Sequence, residues 1–516
     1  MKFKLTKILN HDLLVIIKNN KFLFVLMFFY ILSVFIGVFR YYSPVPAGDM
    51  WQGYLGFYLQ LLDGNYSVWW SQHNEHRILL SKIFFYFDIK YFSGLSLLLI
   101  PLNLLLLLFC WCILLFYVSQ LLPKKIKAIE LYYFVVLLTV FSFSWKQDEN
   151  IVWAFQSQFW FSYLLPLVAF TSLALSELNK DKHLRLYFVA CFIAILTLGS
   201  MANGILALPI LFMMSVFLKQ DWWKIIFLFL LSLASISLYL YDYRSPEHGH
   251  SIVDNLTTYK FEVLLFFIEY LGSPLKSIYG SFILGCIHFF LIACVFYHAF
   301  KEKFKPYSVS VLAFLTYYLL SAIIISASRV DLGVKAALVG RYTTPSIMSL
   351  FLVLTLYLYF RPSHVKIFSK RNVTILAILM LGTQIRTVIK NVDKIHDRQN
   401  IEAMQLALGL SPKIKMQEVA NKAVTANLSI FATKPYMNKK DKLGNSINSM
   451  QCRSLGIIHT KSIKHKMNYL FNIDNDIYIV NSEKIIIGVG VVSNEDPTII
   501  YLVSGQSVKN ARLYKC

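Results

Sequence analysis

Asp49 stands in the run Tyr41-Tyr42-Ser43-Pro44-Val45-Pro46-Ala47-Gly48-Asp49-Met50-Trp51, which sets one carboxylate beside a glycine and an aromatic just past an apolar stretch. A carboxylate so placed can take the proton of a hydroxyl, with substrate geometry doing most of the rest. The competing reading is a solvated loop acid or a helix cap. A denser group follows at Trp69-Trp70-Ser71-Gln72-His73-Asn74-Glu75-His76-Arg77. Arg77 suits bidentate binding of a phosphate, Glu75 can hold a hydroxyl, and His76 lies between them. The tryptophans, with Trp51, can stack on a pyranose or anchor at lipid headgroups.

A second group, Trp145-Lys146-Gln147-Asp148-Glu149-Asn150 with Trp153 and Gln156, runs straight into an aromatic-rich apolar stretch. Acids at the mouth of such a stretch face a cavity or are simply solvated. Arg244, Arg329 and Arg341-Tyr342 add guanidinium groups suited to a lipid-linked phosphate. Of these, Arg341 stands directly before an apolar run and is the best clamp by position. His73 and His76, and likewise His248 and His250, have spacings that can hold a metal, but no third ligand set joins either pair. No metal or cofactor is assigned.

The elements that must position these groups are membrane helices. Hydrophobic residues make up 57% of the 516, too many for ordinary soluble domains. A helix needs roughly 20 apolar residues to cross the hydrocarbon core. Such runs occur at 22–39, 95–121, 130–145, 158–176, 186–199, 203–218, 224–240, 279–299, 308–327, 344–360 and 372–389, which predicts about eleven transmembrane helices. Segment 261–273 is apolar but too short to span and is expected in the interface or re-entrant. Asn203-Gly204 fits a tight turn between two spans.

The net charge of +22 sits mostly in short clusters: Lys124, Lys125 and Lys127; Lys180, Lys182 and Arg185; Lys219 and Lys224; Lys301, Lys303 and Lys305; Arg361, Lys366, Lys370 and Arg371. These fall on one side with the basic N-terminus, which is the positive-inside pattern. No basic stripe with interleaved aromatics lies elsewhere, which argues against nucleic acid. Segments 40–93, 146–157, 241–278 and 328–343 then face outward and hold the candidate residues above.

Residues 1–390 read as the membrane domain and 391–516 as a polar, extracytoplasmic α/β domain, with strand-like runs at 477–480, 484–492 and 498–503. Met437 to Met450 reads as a loop. Cys110, Cys112, Cys191, Cys286 and Cys294 lie in apolar runs as small buried hydrophobes. Cys452 and Cys516 lie in the polar part, where an oxidising compartment permits a disulfide.

An acid after the first helix, aromatic and basic outer loops, about a dozen spans and an extracytoplasmic tail together resemble the GT-C class of membrane glycosyltransferases. Within it the chain looks most like the serotype-converting glucosyltransferases that decorate bacterial O-antigen. The likeness is architectural along the whole chain and residue-specific only at Asp49. It implies a multi-pass protein of the bacterial inner membrane, N-terminus cytoplasmic and C-terminus periplasmic. It implies a polyprenyl-phosphate-linked sugar as donor, a lipid-linked glycan as acceptor, and work beside a flippase and a polyprenyl-phosphate glycosyl synthase. Asp49 would be the general base of an inverting displacement. A polysaccharide polymerase or ligase shares these substrates. A transporter should have polar or broken spans near mid-membrane, and the middles of these runs are nearly uninterrupted Leu, Phe and Ile.

Overall fold

The computed structural model describes residues 11–244, 252–301, 305–390, 392–437, 439–447, 452–457, 464–466, 477–496, 499–506, 508 and 511–516. His248 and His250, and residues 438 and 448–450 of the expected loop, lie outside them.

Among the described residues, nine helices are long and apolar enough to cross a membrane: Lys21–Tyr41, Leu99–Leu121, Ala128–Val152, Ala154–Leu178, Trp222–Leu240, Ile278–Lys301, Pro306–Leu332, Gly340–Phe360 and Lys370–Ala407. The runs expected at 186–199 and 203–218 fall on two shorter apolar helices, His183–Gly199 and Ala202–Phe217. They meet at a tight turn, where the Thr197 hydroxyl donates to the Gly204 carbonyl at 2.8 Å. The 261–273 segment is the helix Lys260–Leu271 of 12 residues. At about 1.5 Å per residue it falls well short of the hydrocarbon thickness.

The helices differ in how much of their surface is covered by other helices. Gly340–Phe360 and Ala154–Leu178 have 83% and 78% of their apolar windows buried, against 28% for Trp222–Leu240 and Ile278–Lys301. The two central helices carry Thr343, Thr344, Ser346, Ser349 and Thr355, and Ser157, Ser162, Thr171, Ser172 and Ser176. Small polar residues of this kind let backbones approach and bond across helices. Ser346 Oγ donates to the Tyr270 carbonyl at 2.7 Å, and Tyr117 meets Thr171 and Ser310 at 2.7 and 2.9 Å. Gln384 joins three helices, donating to Ser33 Oγ at 2.7 Å and to the Phe143 carbonyl at 3.2 Å, and accepting from the Trp145 N–H at 2.9 Å. The outer helices turn Leu230, Phe290, Leu379 and similar residues outward, as contact with lipid requires. Cys112 and Cys286 share that outward setting and are exposed, so only Cys110 and Cys191 are the buried hydrophobes expected.

The described residues fall into two compact units. One runs to Val38 and adds Trp70–Ser81 and Ile100–Val388; the other combines Phe39–Trp69, Lys82–Leu99 and Ile389–Cys516. The second unit ends in a six-stranded antiparallel sheet of order β1-β6-β3-β4-β5-β2. Its strands are β1 Arg453–Ile457, β2 Lys464–Lys466, β3 Ile477–Val480, β4 Ile486–Val492, β5 Ile499–Ser504 and β6 Arg512–Lys515. Ile477, Ile479, Ile487, Ile500, Leu502 and Leu513 form its core. A Cβ at Gly490 would lie 2.7 Å from methyl groups of both Ile477 and Ile500, so β4 passes between its neighbours only without a side chain there. Asp397 of the helix Val392–Ala407 fixes the β4–β5 turn, accepting from Ser493 Oγ at 2.5 Å and Asn494 Nδ2 at 2.9 Å. Cys452 and Cys516 form a disulfide beside paired strands β1 and β6. The 437–450 stretch contains one helical turn, Lys439–Lys442, where a loop was expected.

Candidate functional site

In the first unit, segment 70–77 folds back on itself. The backbones of His73 and His76 exchange N–H···O bonds of 2.8 and 3.0 Å, and Asn74 takes φ +51° to close the turn. Asparagine tolerates that left-handed conformation better than most side chains. Glu75 therefore stands at the tip. Its carboxylate pairs with the Arg329 guanidinium, and His76 Nε2 lies 3.5 Å from the same carboxylate. His76 Nδ1 accepts from the Ala202 N–H at 3.2 Å, so the neutral ring holds its proton on Nε2, toward Glu75. The hydroxyls of Tyr239 and Tyr243 point at the Glu75 carbonyl at 3.4 and 3.5 Å.

Arg77 is taken up by the protein itself. Its Nε, Nη1 and Nη2 donate to the carbonyls of Tyr239, Trp70 and Tyr241 at 3.1, 2.6 and 2.6 Å, and its guanidinium lies 5.2 Å from the Trp70 ring centroid. It is 4% exposed and anchors the turn that presents Glu75. Arg244 lies open, 3.6 Å from Asp242, while its backbone exchanges bonds with the Gln72 amide.

The second group gathers at the start of the Gly340–Phe360 helix. A Cβ at Gly340 would sit 2.6 Å from Asp148 Oδ1, so glycine is what lets the two segments touch. Glu149 Oε2 accepts from the Arg341 N–H at 3.3 Å. Asn150 Nδ2 donates to the Arg341 carbonyl at 2.9 Å and to Thr344 Oγ at 2.7 Å. Asp148 pairs with Lys276 at 3.0 Å. The Arg341 guanidinium lies 5.6 Å from the Tyr342 ring centroid, and its Nε is buried with no partner among the described residues. A guanidinium in the first turn of a long helix, with no ion pair among the described residues, is a favourable setting for an anion. Tyr342 itself is 5% exposed and packed against Tyr270, Phe159 and Phe266. Gln156 is buried, and its Oε1 likewise lacks a partner among the described residues.

The chain matches no known protein family, no curated protein and no solved structure.

In the second unit, Gly48 adopts φ +55° and Asp49 follows it, exposed, with its carbonyl accepting from the Gly53 N–H at 2.7 Å. Its carboxylate has no partner among the described residues. Trp51 opens a π-helical turn, Trp51–Gly56, a form frequent at functional sites. Its ring is fully buried against Phe431 at 6.1 Å, and its Nε1 has no partner among the described residues. That long-range contact, invisible in sequence, turns the ring away from any stacking face. Among the described residues no three His, Cys, Asp or Glu side chains converge as a metal site would require.

Sequence reasoning passed over Asp88, which is fully buried and accepts from the Tyr54 hydroxyl at 2.5 Å and the N–H groups of Ser96 and Leu98 at 3.0 and 2.7 Å. Burial pushes its carboxyl above the ordinary range, with the Tyr54 and backbone bonds pulling the other way. Its signal was present: a single acid in Phe84-Phe85-Tyr86-Phe87-Asp88-Ile89. Lys276 and Asn150 offered none.

Proposed function

We propose that this chain is an inverting glycosyltransferase of the bacterial inner membrane, with about eleven spans. It would move a sugar, glucose by resemblance, from a polyprenyl-phosphate donor to a lipid-linked surface glycan. The observation that carries this reading is the pairing of outer segments distant in sequence: Glu75 and His76 with Arg329, and Asp148 to Asn150 with the Arg341 helix start. The positive-inside pattern of the sequence supports an extracytoplasmic side for both groups. The Cys452–Cys516 bridge suits the same compartment for the tail.

In this reading the acceptor hydroxyl oxygen forms a bond to the anomeric carbon as the bond from that carbon to the donor phosphate oxygen breaks. The hydroxyl proton passes to a carboxylate, Asp49 by the resemblance, and the polyprenyl phosphate leaves with the electron pair; within the first unit Arg341 is the cation suited to that charge. One displacement inverts the anomeric centre, through the oxocarbenium-like state that glycosidases also stabilise. Glu75, held by Arg329, is a hydroxyl acceptor for either sugar.

The test compares, by mass spectrometry, the surface polysaccharide of cells carrying the native chain with that of cells carrying Asp49→Asn at equal membrane abundance. A repeat unit heavier by one sugar with the native chain only is the expected result. Changed chain length at constant repeat mass would assign a polymerase, and equal modification by both proteins would remove Asp49 from the chemistry.

A further inference from the structure

Three of the basic segments bring cations to the ends of two helices, Gly340–Phe360 and Ile278–Lys301. Tyr359, near the end of the Gly340–Phe360 helix, is 7% exposed. Lys125 Nζ lies 4.8 Å and Lys305 Nζ 5.2 Å from its ring centroid, and the Lys305 ammonium also bonds its hydroxyl. Two residues on, Arg361 Nε donates to His298 Nε2 at 3.3 Å. His298 lies in the last turn of Ile278–Lys301, with its ring 5.9 Å from that of Phe360, and Lys301 caps the Tyr297 ring at 4.4 Å.

The four cations are exposed. Among the described residues, no ion pair includes Lys125, Lys301 or Arg361. Topology requires only that the loops carry positive charge. It does not require cations from separate loops to be drawn to a single ring and its neighbours, where they repel one another. Ring faces offset part of that repulsion, and an anion between the cations would offset the rest. The surroundings say what kind of anion. Tyr297, Phe300 and Phe290 are exposed along the same helix, so an apolar strip begins where the cations end.

We propose that Lys125 and Lys305 at Tyr359, with Arg361 and Lys301 beside His298 and Tyr297, form a headgroup site for an anionic phospholipid. The phosphate sits among the cations and the acyl chains run along Tyr297, Phe300 and Phe290. This site is independent of glycosyl transfer, and its readout is lipid retention.

The purified full-length chain is equilibrated in mixed micelles of phosphatidylglycerol and phosphatidylcholine, and retained lipid is counted by native mass spectrometry. The native chain is expected to prefer phosphatidylglycerol, and Lys125→Gln with Arg361→Gln to lose about fivefold of that preference per charge removed. Lys125→Arg with Arg361→Lys keeps the charge and should keep the preference. Equal retention of both lipids by the native chain, or an undiminished preference in the glutamine variant, overturns the site. Raising the salt on the native chain alone should weaken the preference, and a salt-insensitive preference counts against it. Inorganic phosphate at millimolar concentration should leave the lipid in place; displacement would assign the cluster to a free anion and overturn the lipid assignment.

Discussion

The Arg329 guanidinium closes on the Glu75 carboxylate across 254 residues of chain. With side-chain exposures of 38% and 22%, the pair lies between the exposed bridges that contribute little and the buried ones whose breaking is severe. Arg329→Gln alone should lower stability by about 1–2 kcal/mol, since it strands a half-buried carboxylate. The exchange of the two, Glu75→Arg with Arg329→Glu, should recover most of that in thermal unfolding while leaving the proposed glycosyl transfer abolished. Recovery of both would make the pair purely structural.

Arg77 makes a different prediction. Lysine has the charge but not the planar fork that reaches three carbonyls at once. Arg77→Lys should therefore destabilise the first unit by on the order of 2–4 kcal/mol, because buried carbonyls lose charge-assisted partners. The loss should appear in folded yield and unfolding temperature, with the apparent substrate affinity of surviving protein unchanged. A selective rise in KM at normal stability would instead give Arg77 to the substrate.

Asp88 gives the second unit a pH dependence of defined sign. A carboxyl raised on folding favours the protonated form, so its contribution is complete below the unfolded value and is lost as pH rises through the folded one. Asp88→Asn removes this term and also faces an amide NH₂ toward an existing donor, which costs about 1–3 kcal/mol. Unfolding profiles should show that native minus variant stability falls as pH climbs above the ordinary carboxylate range. A flat difference would mean that Asp88 does not titrate there.

The Cys452–Cys516 bridge closes a separation of 64 residues, for which chain entropy gives on the order of 4 kcal/mol. Cys516→Ser should loosen the sheet by about 2–4 kcal/mol. Alkylation of the unreduced native chain should leave both residues unlabelled. Labelling of either one without reductant would exclude the bridge in the purified protein.

What could be read in the sequence follows from which interactions leave a local trace. Apolar runs and alternating strands do, and 477–480 and 486–492 stand where the pattern put them. Arg341 could be singled out because a cation directly before an apolar run is a local feature. The partner of Glu75 could not, because nothing near residue 75 points to residue 329. Arg77 read as a free phosphate clamp because bonds to backbone carbonyls carry no residue code. Trp51 read as a stacking ring because its burial depends on Phe431.

Strand β6 lies between β1 and β3 rather than at an edge. The sheet begun at Arg453 therefore cannot close until residues 512–515 have been made, long after the helices from Lys21 onward have entered the bilayer. The strands made earlier must wait with an open slot in their midst, so this sheet is a late and slow step in maturation, set by the order of synthesis. During that interval β1 and β3 present unpaired edges, each open to pairing with another chain.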